Sequence, residues 1–188
     1  MEQRLMQLSE FRQLYDTCMG NHFPADEIKP FSIMEKVIKE GKYYPYGYYE
    51  GETLLAYTCL LKKDTYFLLD YFAVMEEGRG NGTGSQILEI LQNNISQEES
   101  ILLEVEEPLS AEPDVLDLQK RRIQFYLRNH ALYTELKAEA FGVPYLILNM
   151  GKELKREQAQ KAMSVLYHTI LTEEMYEKNV RFALDKQK

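Results

Sequence analysis

The segment Tyr71-Phe72-Ala73-Val74-Met75-Glu76-Glu77-Gly78-Arg79-Gly80-Asn81-Gly82-Thr83-Gly84-Ser85 constrains this chain more than any other. An apolar strand pattern breaks into alternating glycines and resumes as the helical spacing Ile87, Leu88, Leu91. A strand, a glycine turn and a helix start make a seat for an anion. Glycine reaches φ > 0 and lets a ligand come close to the backbone with no Cβ in the way. The N–H groups of the first helical turn, and the positive end of the helix dipole, then face whatever lies in the turn. Arg79 is the single cation of this loop, and its forked donors suit a pyrophosphate. A solvated turn residue is the alternative reading for it.

Spacing separates the phosphate loops that look like this. The dinucleotide fingerprint G-x-G-x-x-G needs a glycine or alanine where this chain puts other residues, and the Walker ending Gly-Lys-Ser/Thr is absent. What fits is Arg-x-x-Gly-x-Gly, spelled Arg79-Gly80-Asn81-Gly82-Thr83-Gly84. This loop resembles the pyrophosphate loop of the GNAT acyltransferase superfamily. Further segments agree in order and spacing: a short buried strand at 101–106, a helix ending in the pair Phe125-Tyr126, and a closing strand in Phe141-Gly142-Val143-Pro144-Tyr145-Leu146-Ile147-Leu148-Asn149-Met150. The resemblance covers roughly residues 3–150, so that 1–150 reads as the GNAT-like domain and 151–188 as a helical extension packed on it.

The resemblance implies acetyl-CoA as cosubstrate, direct transfer of its acetyl group to a primary amine, no covalent enzyme intermediate and no metal. It implies that the strand before the loop splays from the next parallel strand, so that the backbone of Phe72, Ala73 and Val74 is free to bond a ligand amide. An N–H near Val74 would also polarise the thioester carbonyl. By themselves these three residues read as an ordinary core strand. The resemblance places Arg79, Gly80, Asn81, Gly82, Thr83, Gly84 and Ser85 around the cofactor's phosphates, Asn81 and Thr83 through their backbone amides. Ser85 either donates its hydroxyl or caps the helix. Tyr126 matches the tyrosine that protonates the departing thiolate, and a phenol of ordinary pKa holds its proton at neutral pH. Glu104 matches a strand position that serves as general base in some relatives, with Glu106, Asp70 or a water chain as alternatives. Asp70 stands out as a charged residue in an apolar strand. Gln119 stands where many relatives have an asparagine that contacts CoA. Arg128-Asn129-His130 replaces the usual glycine after the Tyr126 helix. A non-catalytic CoA- or amine-binding sensor of the same fold is the rival, marked by Tyr126, Glu104 and Asp70 all pointing away from the splay.

The rest of the 188 residues supports one domain with a sizeable core, at 45% apolar content. An opening strand over 3–8 leads to a helix over 9–19 capped by Ser9, and a second helix from Phe31 stops at Gly41. Strands over 43–49, 53–61 and 66–74 with short polar turns predict antiparallel hairpins, and strands near 131–137 and 143–149 close the order. The fold class is therefore α/β, a central mixed sheet, antiparallel and then parallel, flanked by helices. Met163, Leu166, Tyr167, Ile170 and Leu171 mark an extra C-terminal amphipathic helix, broken near Thr172. Packing on its own sheet is the expectation, and a homodimer contact the alternative.

A net charge of -8 argues against a nucleic-acid surface and is compatible with a basic small-molecule or peptide amine. Apolar stretches are too short for a membrane span, the start shows no signal-peptide profile, and Cys18 and Cys59 are too few for a disulfide framework, so a cytoplasmic protein is expected. His22, His130 and His168 have no ligand spacing. Tyr44, Tyr46 and Tyr48 share a strand face that suits either an aromatic amine pocket or a half-buried edge strand around Pro45.

Overall fold

The computed structural model describes residues 1–183. Strand β1 (Glu2–Leu5) leads into helix α1 (Leu8–Leu14), a π-helical stretch (Tyr15–Met19) and the short turn α2 (Gly20–His22). Helix α3 (Phe31–Lys39) is followed by β2 (Tyr43–Glu50), β3 (Thr53–Lys63), β4 (Tyr66–Val74), helix α4 (Thr83–Asn93), β5 (Ser100–Glu106) and helix α5 (Pro113–Arg128). Strands β6 (Leu132–Ala140) and β7 (Val143–Gly151), helices α6 (Arg156–Ile170) and α7 (Glu173–Asn179), and strand β8 (Val180–Phe182) complete it. All the strands join one sheet in the order β1-β2-β3-β4-β5-β7-β6-β8. Among the described residues only β4 and β5 pair in parallel; every other neighbour pair is antiparallel. This is the mixed, helix-flanked α/β sheet that the hydrophobic pattern implies.

Each face of the sheet buries its own apolar layer. On one, Phe11, Met34 and Val37 pack with Leu61, Leu68 and Leu102; on the other, Ile87, Leu88, Leu91 and Ile123 pack with Leu69, Ile101 and Leu103. Period-2 alternation along β4 and β5 therefore gives both faces an apolar stripe, as a strand covered on both sides requires. The stripe of α6 joins the first layer, with Met163 and Leu166 fully buried beside Phe11 and Met34. Thr172 separates α6 from α7, its Oγ1 accepting the Met175 N–H at 3.3 Å. Beyond α7, β8 adds itself to β6 through Ala138↔Phe182 and Ala140↔Val180, a pairing too short to leave a readable alternation.

Three local expectations change. The first helix begins at Leu8, not at Ser9, because Glu10 Oε2 accepts the Gln7 N–H at 2.7 Å and makes Gln7 the cap. Helix α4 begins one residue after Gly82, which is its N-cap in the left-handed region, so Ser85 lies within the first turn and does not cap it. After α5, His130 occupies the left-handed position at φ 69, in place of the glycine usual there. Ala131 N–H then bonds Tyr126 O at 3.1 Å, and Asn129 Nδ2 bonds Phe125 O at 2.7 Å.

Because Leu166 is fully buried in the layer shared with α1 and α3, Leu166→Ala is expected to cost about 2–5 kcal/mol. Urea unfolding followed by circular dichroism should show one transition moved to lower denaturant. A separate early step belonging to the extension would contradict this packing.

Candidate active site

β4 and β5 run together for three residue pairs only, Tyr66↔Ser100, Phe67↔Ile101 and Leu68↔Leu102. Beyond them β5 stays with β7 as far as Glu106↔Tyr145, while β4 stays with β3 as far as Val74↔Ala56. The parting begins where β4 carries a bulge: Leu69 pairs Leu60 and Tyr71 pairs Cys59, so Asp70 is the extra residue. A bulge bends its strand and raises local twist. Phe72, Ala73 and Val74 lie past the bulge, on the part of β4 that has no strand partner on the β5 side.

The glycine loop continues from that open edge. Gly80 and Gly82 hold φ of +81° and +74°, and a Cβ built at either would meet nothing within 4 Å. The concave side of the loop is therefore open backbone, with the first amides of α4 behind it. Gly84 serves packing instead, since a Cβ there would come 3.1 Å from Phe125 Cζ. Arg79 and Asn81 are exposed, Thr83 is buried, and Ser85 is half-buried. Arg79 Nε donates to Val74 O at 3.3 Å, which lays the guanidinium across the end of the parting.

A cavity of about 400 Å³ opens at the same parting, on the side of the first apolar layer. Tyr126, Glu104, Glu106 and Asp70 all line it, as does Phe72. Among the described residues no group hydrogen-bonds the Tyr126 hydroxyl, and burial pushes its phenol up to about 12, so it is protonated at neutral pH. The ring stands edge-on to Phe125, 5.3 Å between centroids. Burial also raises the Glu104 carboxyl above its usual range, against the pull of Lys29 and of the Tyr167 hydroxyl, which donates to Oε1.

Asp70 and Glu106 are engaged, whereas Asp26 and Glu27 line the cavity with no hydrogen bond to their carboxyls among the described residues, and burial raises the Glu27 carboxyl above its usual range. Asp70, its side chain 1% exposed, accepts from Lys29 Nζ and from Tyr43 OH, both at 2.7 Å. Burial opposes the Lys29 ammonium, but Asp70, Tyr71 and Glu104 outweigh it and hold its pKa above the ordinary value. Tyr71 OH completes the cluster, accepting the Lys29 N–H at 2.9 Å and donating to Glu27 O at 2.8 Å. Glu106 accepts from Arg122 Nη1 at 2.6 Å and from Gln119 Nε2 at 3.0 Å. Gln119 Oε1 takes the Ser110 N–H at 3.3 Å, so both ends of this amide are used within the protein. His22 Nδ1 meets Tyr57 OH at 2.9 Å, and burial together with Arg79 lowers its pKa, keeping the ring neutral. Among the described residues no three His, Cys, Asp or Glu side chains are grouped as a metal ion needs.

The tyrosines of β2 lie away from this cavity. None of residues 43–49 lines the cavity, and β2 is not an edge, because β1 pairs with Tyr46, Tyr48 and Tyr49 on its outer side. Pro45 escapes a lost ladder bond because its carbonyl, which accepts Met6 N–H at 2.8 Å, marks the side where β1 ends. Tyr43 and Tyr48 are core. Lys29, Tyr145 and Tyr167 are lining residues that sequence reading misses. The lone carboxylate of Asp70 in an apolar strand signalled a group that must be paired or functional, though not its partner.

No protein-family model matches the chain. A Bacillus subtilis (strain 168) protein named "Putative acetyltransferase YjbC" is 30% identical over 112 residues, 60% of this chain and 53% of the relative; the chain thus spans about half the length of the curated relative it matches. A structure described as "Putative acetyltransferase from GNAT family from Bacteroides thetaiotaomicron" superposes with a TM-score of 0.74 at 20% identity, over 90% of this chain and 97% of that one. An aminoglycoside 6'-N-acetyltransferase complexed with coenzyme A gives 0.60 at 15% identity, over 80% and 96%. The fold of this chain is that of the GNAT acetyltransferases.

The Asp70 pair sets a stability expectation. Asp70→Asn removes the charge that offsets a Lys29 side chain only 25% exposed. Fully buried pairs lose about 3–5 kcal/mol when one partner goes; partial solvation of Lys29 reduces this to about 2–3 kcal/mol. Urea midpoints of the two proteins check it, and equal midpoints would show that the pair does not support the bulge.

Proposed function

We propose that this chain is a GNAT-superfamily N-acetyltransferase that moves the acetyl group of acetyl-CoA directly to a primary amine. The observation that carries the reading is the coincidence, at one parting of β4 from β5, of an open glycine cradle with a cavity that Tyr126 and Glu104 both line. The fit to CoA rests on the same features: positive-φ glycines with no Cβ contact, a helix start, one guanidinium, and a stretch of β4 without a strand partner on its β5 side. Arg79 and the backbone of residues 80–85 would hold the pyrophosphate, and Phe72, Ala73 and Val74 the pantetheine amides. Acetyl-CoA, when bound, supplies an acetyl group activated as a thioester.

The chain's own groups then have defined tasks. Tyr126 holds a proton on Oη for the leaving sulfur, and its raised pKa keeps that proton in place until a thiolate develops. Glu104 accepts the proton of the acceptor ammonium; burial lifts its pKa toward the range where a base works at neutral pH. Glu106 is a poorer candidate, with its oxygens committed to Arg122 and Gln119, and Asp70 is committed to Lys29 and Tyr43. Asp26, Glu27, Asp70, Glu104 and Glu106 line the cavity against Lys29 and Arg122, a balance that favours a cationic acceptor. Tyr126, Glu104 and Asp70 do not all turn away from the parting, the arrangement a non-catalytic module would favour. Two free thiols, Cys18 and buried Cys59, fit a cytoplasmic setting.

The test is acetyl-CoA-dependent thiol release across a panel of primary amines. Tyr126→Phe should lower kcat by about 10²-fold with the Kd for acetyl-CoA unchanged. Unaltered turnover would remove Tyr126 from the mechanism. Gly82→Asp strains a φ of +74° and sets a carboxylate in the cradle. The wild type should show a saturable rise in Tm with acetyl-CoA, and the variant none up to millimolar ligand. A rise of equal size in the variant would place the phosphates elsewhere.

A further inference from the structure

The C-terminal extension reaches into the cavity. Tyr167 and Ile170 of α6, with Leu171 and Met175 after it, line the wall facing the parting. Tyr167 is 5% exposed, and its ring packs 6.3 Å from both Tyr176 and Phe182, so residues of α7 and β8 hold it from behind. Its hydroxyl donates to Glu104 Oε1, a contact between positions 63 residues apart. Among the described residues no donor is bonded to Oε2, and no buried side-chain oxygen lacks a partner, so Oε2 is the oxygen left accessible to the cavity.

We infer that Tyr167 is a positioning residue for Glu104: its hydroxyl fixes one carboxylate oxygen so that the other is presented to the acceptor amine, which makes the extension part of the acceptor site. The inference rests on the N-acetyltransfer reading above. The groups facing Glu104 come from every element around it: Lys29 from the segment before α3, Asp70 from β4, Tyr145 from β7 and Tyr167 from α6. Lys29 and Tyr167 favour the carboxylate; burial and Asp70 oppose it. Lys29 spends its bond on Asp70 at 2.7 Å, which leaves Tyr167 as the direct donor to Glu104 among the described residues. Removing that donor while keeping the ring must make Glu104 harder to ionise.

Two readouts test this on the full chain. In protein labelled with carbon-13 at glutamate carboxyls, with Glu104→Gln assigning the signal, Glu104 should titrate about one pH unit higher in Tyr167→Phe than in the wild type. The ascending limb of kcat/KM for the amine should move by the same amount, about ten-fold less activity on the acid side and recovery on the plateau, with KM for acetyl-CoA unchanged. Adding Tyr167→Phe to Glu104→Gln should change the residual rate no further. An unmoved Glu104 titration, an unmoved pH profile, or an equal further loss in the Glu104→Gln background would overturn the inference. A wild type that transfers acetyl to no amine would instead sink the acetyltransferase reading, while the carboxyl titration still reports whether Tyr167 holds Glu104.

Discussion

The parting of β4 from β5 after Leu68↔Leu102 is the constraint on which the rest of this site depends. A continuous parallel ladder would bury the backbone of Phe72, Ala73 and Val74 in ordinary sheet bonds and close the cavity. The extra residue at Asp70 bends β4 just past the last shared pair, and β7 keeps β5 on its own course. Everything with chemical potential, the glycine cradle at one end and the carboxylates and phenols at the other, is arranged along the resulting gap.

Holding such a gap open requires polar groups in a buried place, and the Asp70 cluster is compensated in full. The bulge turns Asp70 toward the same side as Tyr71, where Lys29 and Tyr43 satisfy it and Tyr71 bonds the backbone of Lys29 and Glu27. The Lys29 segment is thereby tied across β4, which positions the loop before α3 as the roof of the cavity. Glu104 is treated differently. Among the described residues it receives one hydroxyl and no direct cation, so its burial is offset only in part and its pKa rises. Of the cavity carboxylates at the parting, Asp70 and Glu106 are fully paired, and Glu104 keeps one oxygen free of a donor among the described residues.

The sequence made the glycine loop legible because positive φ leaves few residue choices, and Gly80 and Gly82 occupy that region. The Phe125-Tyr126 pair was legible through the resemblance, at the end of an amphipathic helix that follows the strand at 101–106. The sheet's mixed order followed from strand spacing and polar turns. Contacts between distant positions were not legible: Lys29 lies 41 residues from Asp70, and no periodicity links them. Tyr167 sat inside a stripe whose spacing reads as packing, and its ring does pack, so nothing in the pattern separates its hydroxyl from that role. Tyr44, Tyr46 and Tyr48 left two readings open for the converse reason: composition alone does not say which side of a sheet a cavity occupies. The bulge left no mark either, since Leu68, Leu69, Asp70 and Tyr71 read equally well in regular alternation.

The central claim, that coenzyme A lies along the gap between the glycine loop and the parted strands, is most directly tested by titrating isotope-labelled protein with CoA and following backbone amide resonances. The account predicts saturable changes concentrated at Phe72, Ala73 and Val74, where β4 has no strand partner on the β5 side, and at residues 79–85 of the loop and helix start. Changes scattered over the surface, or confined to helices far from the parting, would contradict it.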